Sequence, residues 1–182
     1  MISHWLQELA SGRAVLFALT VWLGFGFLLF QFTSYRTLQA ANRNRPLLEE
    51  RFGYTTEDVT SQMQALGEWR GSYRNFQILD YIHALLMSLA LTLALTFALT
   101  RLFGPASPLR LLALAPIVAA LAEFAENSLL IALCARYPDV SPGLTGPASV
   151  ATQLKLGIGF VTLPLTALGL IALGVKSLIR RR

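Results

Sequence analysis

The sequence predicts an all-α fold: an antiparallel bundle of four transmembrane helices, with a short amphipathic helical cap between the first and the second. Three observations predict it. Hydrophobic residues make up 54% of the 182-residue chain and charged ones 14%, against roughly a quarter charged in soluble proteins. Four stretches reach the length of about 20 residues that an apolar helix needs to cross a bilayer. Arginines and lysines flank those stretches (Arg13 and Arg36, Arg74 and Arg101, Arg110 and Arg136, Lys155 and Lys176), as side chains anchored at the headgroups would.

The whole chain, 1–182, therefore reads as one integral membrane domain, with spans at about 14–33, 76–100, 110–135 and 150–176 and a polar cap over 34–75. The first span carries no charge from Ala14 to Phe32. It is longer than a signal-peptide core and no A-x-A site follows, so an uncleaved anchor is expected. Ahead of it, Ile2, Trp5, Leu6 and Leu9 fall at the spacing of a short interfacial helix. In the cap, Pro46 interrupts the chain, and Thr55-x-x-Asp58 starts a helix whose Val59, Met63 and Leu66 share one face.

Composition also excludes. Cys134 is the single cysteine, so no internal disulfide and no CxxC chemistry is available. Two histidines, His4 and His83, do not furnish a bis-histidine haem or a three-histidine zinc site within one chain. Arginine outnumbers lysine thirteen to two, but the basic residues lack a long polar surface, so nucleic acid is not an expected partner. The cap nearly cancels its charge, six arginines against five acids, whereas the N-terminus, the Arg101 to Arg110 loop and the Arg180-Arg181-Arg182 end are basic. That density favours both termini on the cytoplasmic side.

The stretch AEFAENSLL, 122 to 130, breaks the apolar third span with Glu123, Glu126 and Asn127. Two ionised carboxylates there oppose insertion by about 5 to 7 kcal/mol. The eleven Leu, Ile, Val and Phe residues between Arg110 and Arg136 return only about 3 to 7 kcal/mol. The third helix therefore needs protein neighbours, or protons, for those groups. Residues three and four apart share a helix face, so the three form one polar stripe. Asp80 and His83 share a face in the second span, and Thr152 and Lys155 in the fourth.

Antiparallel threading sets their depth. At 1.5 Å of rise per residue, Glu126 and Asn127 lie about 5 Å from the midplane, and Asp80 and Lys155 about 12 Å, all toward the side of the cap, which carries Arg70, Tyr73 and Arg74. Three spans thus deliver acids, an amide and a cation to one membrane face.

Together, Arg70-x-x-Tyr73, Asp80-Tyr81, Glu123-x-x-Glu126-Asn127 and Thr152-x-x-Lys155 resemble a family of small four-helix bacterial membrane proteins that share the patterns G-R-x-x-Y, D-Y/F, D-x-x-E-N and T-x-x-K. The resemblance runs from about Gly53 onward, in the same motif order. Two positions depart from it: Trp69 stands in place of the glycine and Glu123 in place of the aspartate, the latter preserving charge. The resemblance implies that Arg70, Tyr73, Asp80, Glu126, Asn127 and Lys155 belong together, and that the protein is integral to a bacterial cytoplasmic membrane. It implies no particular reaction.

The leading reading is a lipid or small-molecule pocket formed by Arg70, Tyr73, Arg74, Asp80, His83, Glu123, Glu126, Asn127 and Lys155, with Arg70, Arg74 or Lys155 on an anionic headgroup. In a catalytic version Glu126 acts as general base with help from Asp80 or Glu123; no G-x-S-x-G elbow is present and Ser128 lacks a matching histidine. The alternative is a structural or accessory subunit whose polar network only fixes helix register. Proton-coupled transport ranks below both, because four helices enclose such a path only as a dimer. A metal held by Asp80, His83, Glu123 and Glu126 is disfavoured by one histidine and a competing lysine, so neither metal nor cofactor is expected. Membrane lipids are the expected partners, with a homo-oligomer or a membrane-complex subunit as further options.

Overall fold

A computed structural model of the protein describes residues 8–179. The interfacial segment around Ile2, Trp5 and Leu6 and the Arg180-Arg181-Arg182 end lie outside the described residues. All regular structure among the described residues is helical: α1 (Gly12–Phe32), α2 (Tyr35–Ala41), α3 (Thr56–Leu66), α4 (Arg70–Phe103), α5 (Ala115–Arg136) and α6 (Pro142–Ile179), with short 3-10 turns at Leu48–Glu50, Gly67–Trp69 and Pro108–Leu114. Four helical stretches, Gly12–Phe32, Thr56–Phe103, Pro108–Arg136 and Pro142–Ile179, are long and apolar enough to cross a membrane.

Local chemistry sets the boundaries. Ser11 caps α1, its hydroxyl accepting from Ala14 N at 3.1 Å. At α3, Thr55 accepts from Asp58 N and Asp58 returns the bond to Thr55 N at 2.9 Å, a reciprocal capping box. Gly67, at φ +50, ends α3. The chain then turns through Gly67–Trp69 into α4, which starts at Arg70, six residues before the expected span, because its polar first turns extend the helix beyond the apolar stretch. Between Pro108 and Leu114 the chain is 3-10 where the sequence predicts the start of the third span. Pro116 has no N–H to give Leu112 O, so regular α hydrogen bonding resumes only from Ala115. The last helix begins at Pro142, eight residues before the expected start: proline suits the first helical position, where its missing N–H costs nothing.

Small residues let the long helices approach. Ala90 and Ala94 of α4 are fully buried against Val15 and Ala18 of α1. Farther along, a Cβ added at Gly169 of α6 would stand 3.0 Å from that of Ala98. Such contacts hold helices together in lipid, where apolar burial alone offers no drive. The largest apolar cluster joins the polar connection to the long helices: Leu38, Leu47, Leu48, Tyr54, Val59, Met63 and Leu66 pack with Tyr73 and Phe76 of α4, Leu130 and Leu133 of α5 and Ala148 of α6. Val59, Met63 and Leu66 are the face the sequence marks as apolar, and all three are buried. The outward faces are apolar as well. Phe17, Phe27, Phe160, Leu168 and Ile171 are all more than half exposed, a surface suited to hydrocarbon and not to water.

Candidate functional site

The site follows from helical spacing on three helices. On α4, Tyr73, Gln77, Asp80 and Ala84 are buried on one face. On α5, Glu123, Glu126, Asn127 and Leu130 are buried likewise. On α6, Thr145, Ala148, Thr152 and the Lys155 side chain complete the set. Where these faces meet, their polar groups pair with one another and with residues of the connection before α4.

Lys155 Nζ lies 2.5 Å from Glu126 Oε2 and 3.4 Å from Glu123 Oε1. Its side chain is 9% exposed and that of Glu126 is wholly buried. The other Glu126 oxygen, Oε1, accepts from the Thr152 hydroxyl, which also lies 3.3 Å from the Tyr54 hydroxyl oxygen. Asn127 Nδ2 donates to Asp80 Oδ2 at 3.2 Å, tying α5 to α4. Asp80 Oδ1 is 3.5 Å from His83 Nδ1. The far nitrogen of that ring, Nε2, accepts from the indole N–H of Trp22 on α1 at 3.1 Å. Indole is a donor only, so the neutral imidazole carries its proton on Nδ1, facing Asp80.

A second polar group adjoins the first from the connection. Glu49, buried in the turn after Leu47, accepts from Tyr73 Oη at 2.7 Å and from Gln77 Nε2 at 2.9 Å. Burial pushes its carboxyl up from 4.5 to about 8, against the opposing pull of the Tyr73 hydrogen bond; Glu126 and Lys155 are close enough to act on it electrostatically.

Asp80, His83, Glu123, Glu126, Asn127 and Lys155 are thus brought together, with Tyr73 one step away through Glu49. Arg70 and Arg74 are not. The Arg70 guanidinium sits 4.5 Å above the Tyr137 ring, Arg74 is exposed, and no ion pair joins either to an acid among the described residues. The sequence does not mark Glu49, Tyr54, Gln77 or Trp22 as site residues, and it marks Thr152 only as sharing a polar face and a motif with Lys155. Gln77 is within reach of helical spacing, being four residues after Tyr73 and three before Asp80; Glu49 carries no such signal.

Beside the cluster a cleft of ≈ 220 Å³ runs between α4, α5 and α6. His83, Glu123 and Lys155 form its polar end, and Met87, Leu91, Pro116, Ala119, Leu156, Gly159, Phe160, Thr162 and Leu163 line the rest. It is half open, and Phe160, one of its walls, lies on the outward apolar face.

The ligand atoms of Asp80, His83 and Glu123 lie within 4.8 Å of one another. The residues do not fit a metal. A nitrogen that carries a proton cannot ligate, and Lys155 already supplies a cation to Glu123. The Ser128 hydroxyl donates to Phe124 O at 2.7 Å and lies 2.6 Å from Tyr81 Oη, with no histidine in contact among the described residues. No family model, curated protein or solved structure matches the chain.

Proposed function

We propose that this is an integral membrane protein, a four-span antiparallel bundle capped by residues 34–75, that binds an amphipathic molecule drawn from the bilayer. The apolar chain of that molecule lies in the cleft between α4, α5 and α6, and its polar end meets Glu123, His83 and Lys155. One observation carries the reading: the apolar cleft ends on the buried acid and base cluster. Pockets of this make, apolar with a few convergent polar groups, are the usual form of a ligand site. The resemblance of its motifs to the small bacterial family suggests a bacterial cytoplasmic membrane as its location, and the density of arginine and lysine near the helix ends favours both termini on the cytoplasmic side. Accessibility of single cysteines in a Cys134→Ser background tests that orientation.

Gly159 provides the direct test. It lines the cleft, and a Cβ there would meet nothing within 4 Å, so Gly159→Phe starts from open space and is expected to fill the cleft. Native mass spectrometry of the purified protein is expected to show a bound lipid-sized adduct that Gly159→Phe removes while helicity and melting temperature hold. A protein without adduct, or an adduct indifferent to the substitution, would contradict the pocket.

The ion pair favours a second reading, in which the network only holds three helices in register. Under it, Glu126→Gln and Lys155→Met act on folding alone and Gly159→Phe is silent in every assay.

A further inference from the structure

The cluster holds more carboxyls than cations. Asp80, Glu123 and Glu126 bring three carboxyls, and among the described residues Lys155 is the one ammonium that reaches them. His83 adds no charge in the tautomer that Trp22 imposes. The wholly buried Asn127 turns its amide nitrogen to Asp80 and leaves Oδ1 in the same cluster without a donor. Gln77, equally buried, gives its nitrogen to Glu49 and leaves Oε1 bare. Buried acceptors left this way are costly, more so in a membrane.

Of the three carboxyls, Glu123 alone lines the cleft. Asp80 accepts from Asn127 and faces the His83 N–H, and Glu126 accepts from Thr152 and is ion-paired with Lys155. Glu123 lies within hydrogen-bond reach of the Asp80 carboxyl and 3.4 Å from Lys155 Nζ. An anionic headgroup, which the sequence suggested for Arg70, Arg74 or Lys155, would meet this excess of carboxyls with both arginines elsewhere and the lysine already engaged by Glu126.

We infer that the cleft selects a cationic amphiphile: an alkylammonium whose nitrogen docks on Glu123 beside His83 and whose chain follows Leu91, Ala119 and Gly159. The inference rests on the cleft being a ligand site and names the chemistry of the ligand. The ammonium gives Glu123 a second cation beside Lys155, and its chain replaces lipid along the apolar wall.

Trp22 is a built-in reporter, because its indole is bonded to the histidine at the polar end. In a Trp5→Phe/Trp69→Phe background, in phosphatidylcholine nanodiscs, Trp22 emission is titrated with dodecylammonium, dodecyl phosphate and dodecanol, and adducts are checked by native mass spectrometry. Dodecylammonium is expected to bind at least about tenfold more tightly than the other two, and Glu123→Gln to erase that preference while a chain still binds. Equal or tighter binding of the phosphate or the alcohol overturns the charge selection and leaves the cleft standing. A response to sodium chloride alone as large as that to dodecylammonium overturns it too, by assigning the counter-charge to a small ion. Absence of any adduct or emission change with all three amphiphiles removes the cleft reading itself, and this inference with it.

Discussion

Lys155 Nζ of α6 stands 2.5 Å from Glu126 Oε2 of α5, with neither side chain more than 9% exposed. A charge so placed is tolerable only with its partner, since removing one member of a buried pair leaves the other uncompensated and costs about 3 to 5 kcal/mol. The pair therefore couples the placement of α6 to that of α5. The Asn127 to Asp80 bond extends the coupling to α4.

Thr152→Val should destabilise the protein by about 1.5 to 3 kcal/mol, the range for a hydrogen bond to a charged group. Valine keeps the shape and removes the donor to Glu126 and the contact with the Tyr54 hydroxyl. Denaturant unfolding in mild detergent measures it, with Thr166→Val as the control: that hydroxyl bonds only to Thr162 O, within its own helix.

Gly53 sits at φ +97, and a Cβ there would stand 2.8 Å from Gln153 Nε2. Gly53→Ala is expected to cost more than about 1 kcal/mol through backbone strain. The next residue, Tyr54, is docked on α6 by its N–H to Ser149 Oγ at 2.9 Å. The strain should therefore loosen this connection first, which faster amide exchange at Tyr54 would register.

Glu49 makes stability fall with rising pH. Its folded carboxyl titrates near 8 where the ordinary value is 4.5, because burial disfavours the charge. The folded state thus holds a proton that the unfolded chain has released. The stability from this group is fully present below about pH 4.5 and is lost as pH rises through 8, at up to about 1.4 kcal/mol per pH unit. Melting curves between pH 5 and 8 should slope more steeply for the unaltered protein than for Glu49→Gln. Parallel curves would contradict the burial of an uncompensated acid.

Much of this was legible in the sequence where helical periodicity carries it. Four apolar stretches gave the candidate spans, and the spacing of Glu123, Glu126 and Asn127 put them on one face, because a helix fixes which side chains share a side. Helix ends were less legible at Pro116 and Pro142, where proline acts oppositely: it delays an α-helix that has a preceding turn to continue, and it opens one that starts anew. Arg70 and Arg74 begin the helix that carries Asp80 but are stacked on Tyr137 or exposed, since position along a helix leaves rotation about its axis free. Glu49 was invisible because its burial depends on Tyr73 and Gln77, partners 24 and 28 residues away.

The most direct test of the inward-facing cluster is a double-mutant cycle on Lys155→Met and Glu126→Gln, read as unfolding free energy in detergent micelles. The pair geometry predicts a coupling of about 2 to 3 kcal/mol, with the double variant more stable than the sum of the single losses allows. Additive losses, agreeing within about 0.5 kcal/mol, would mean that the two side chains do not meet.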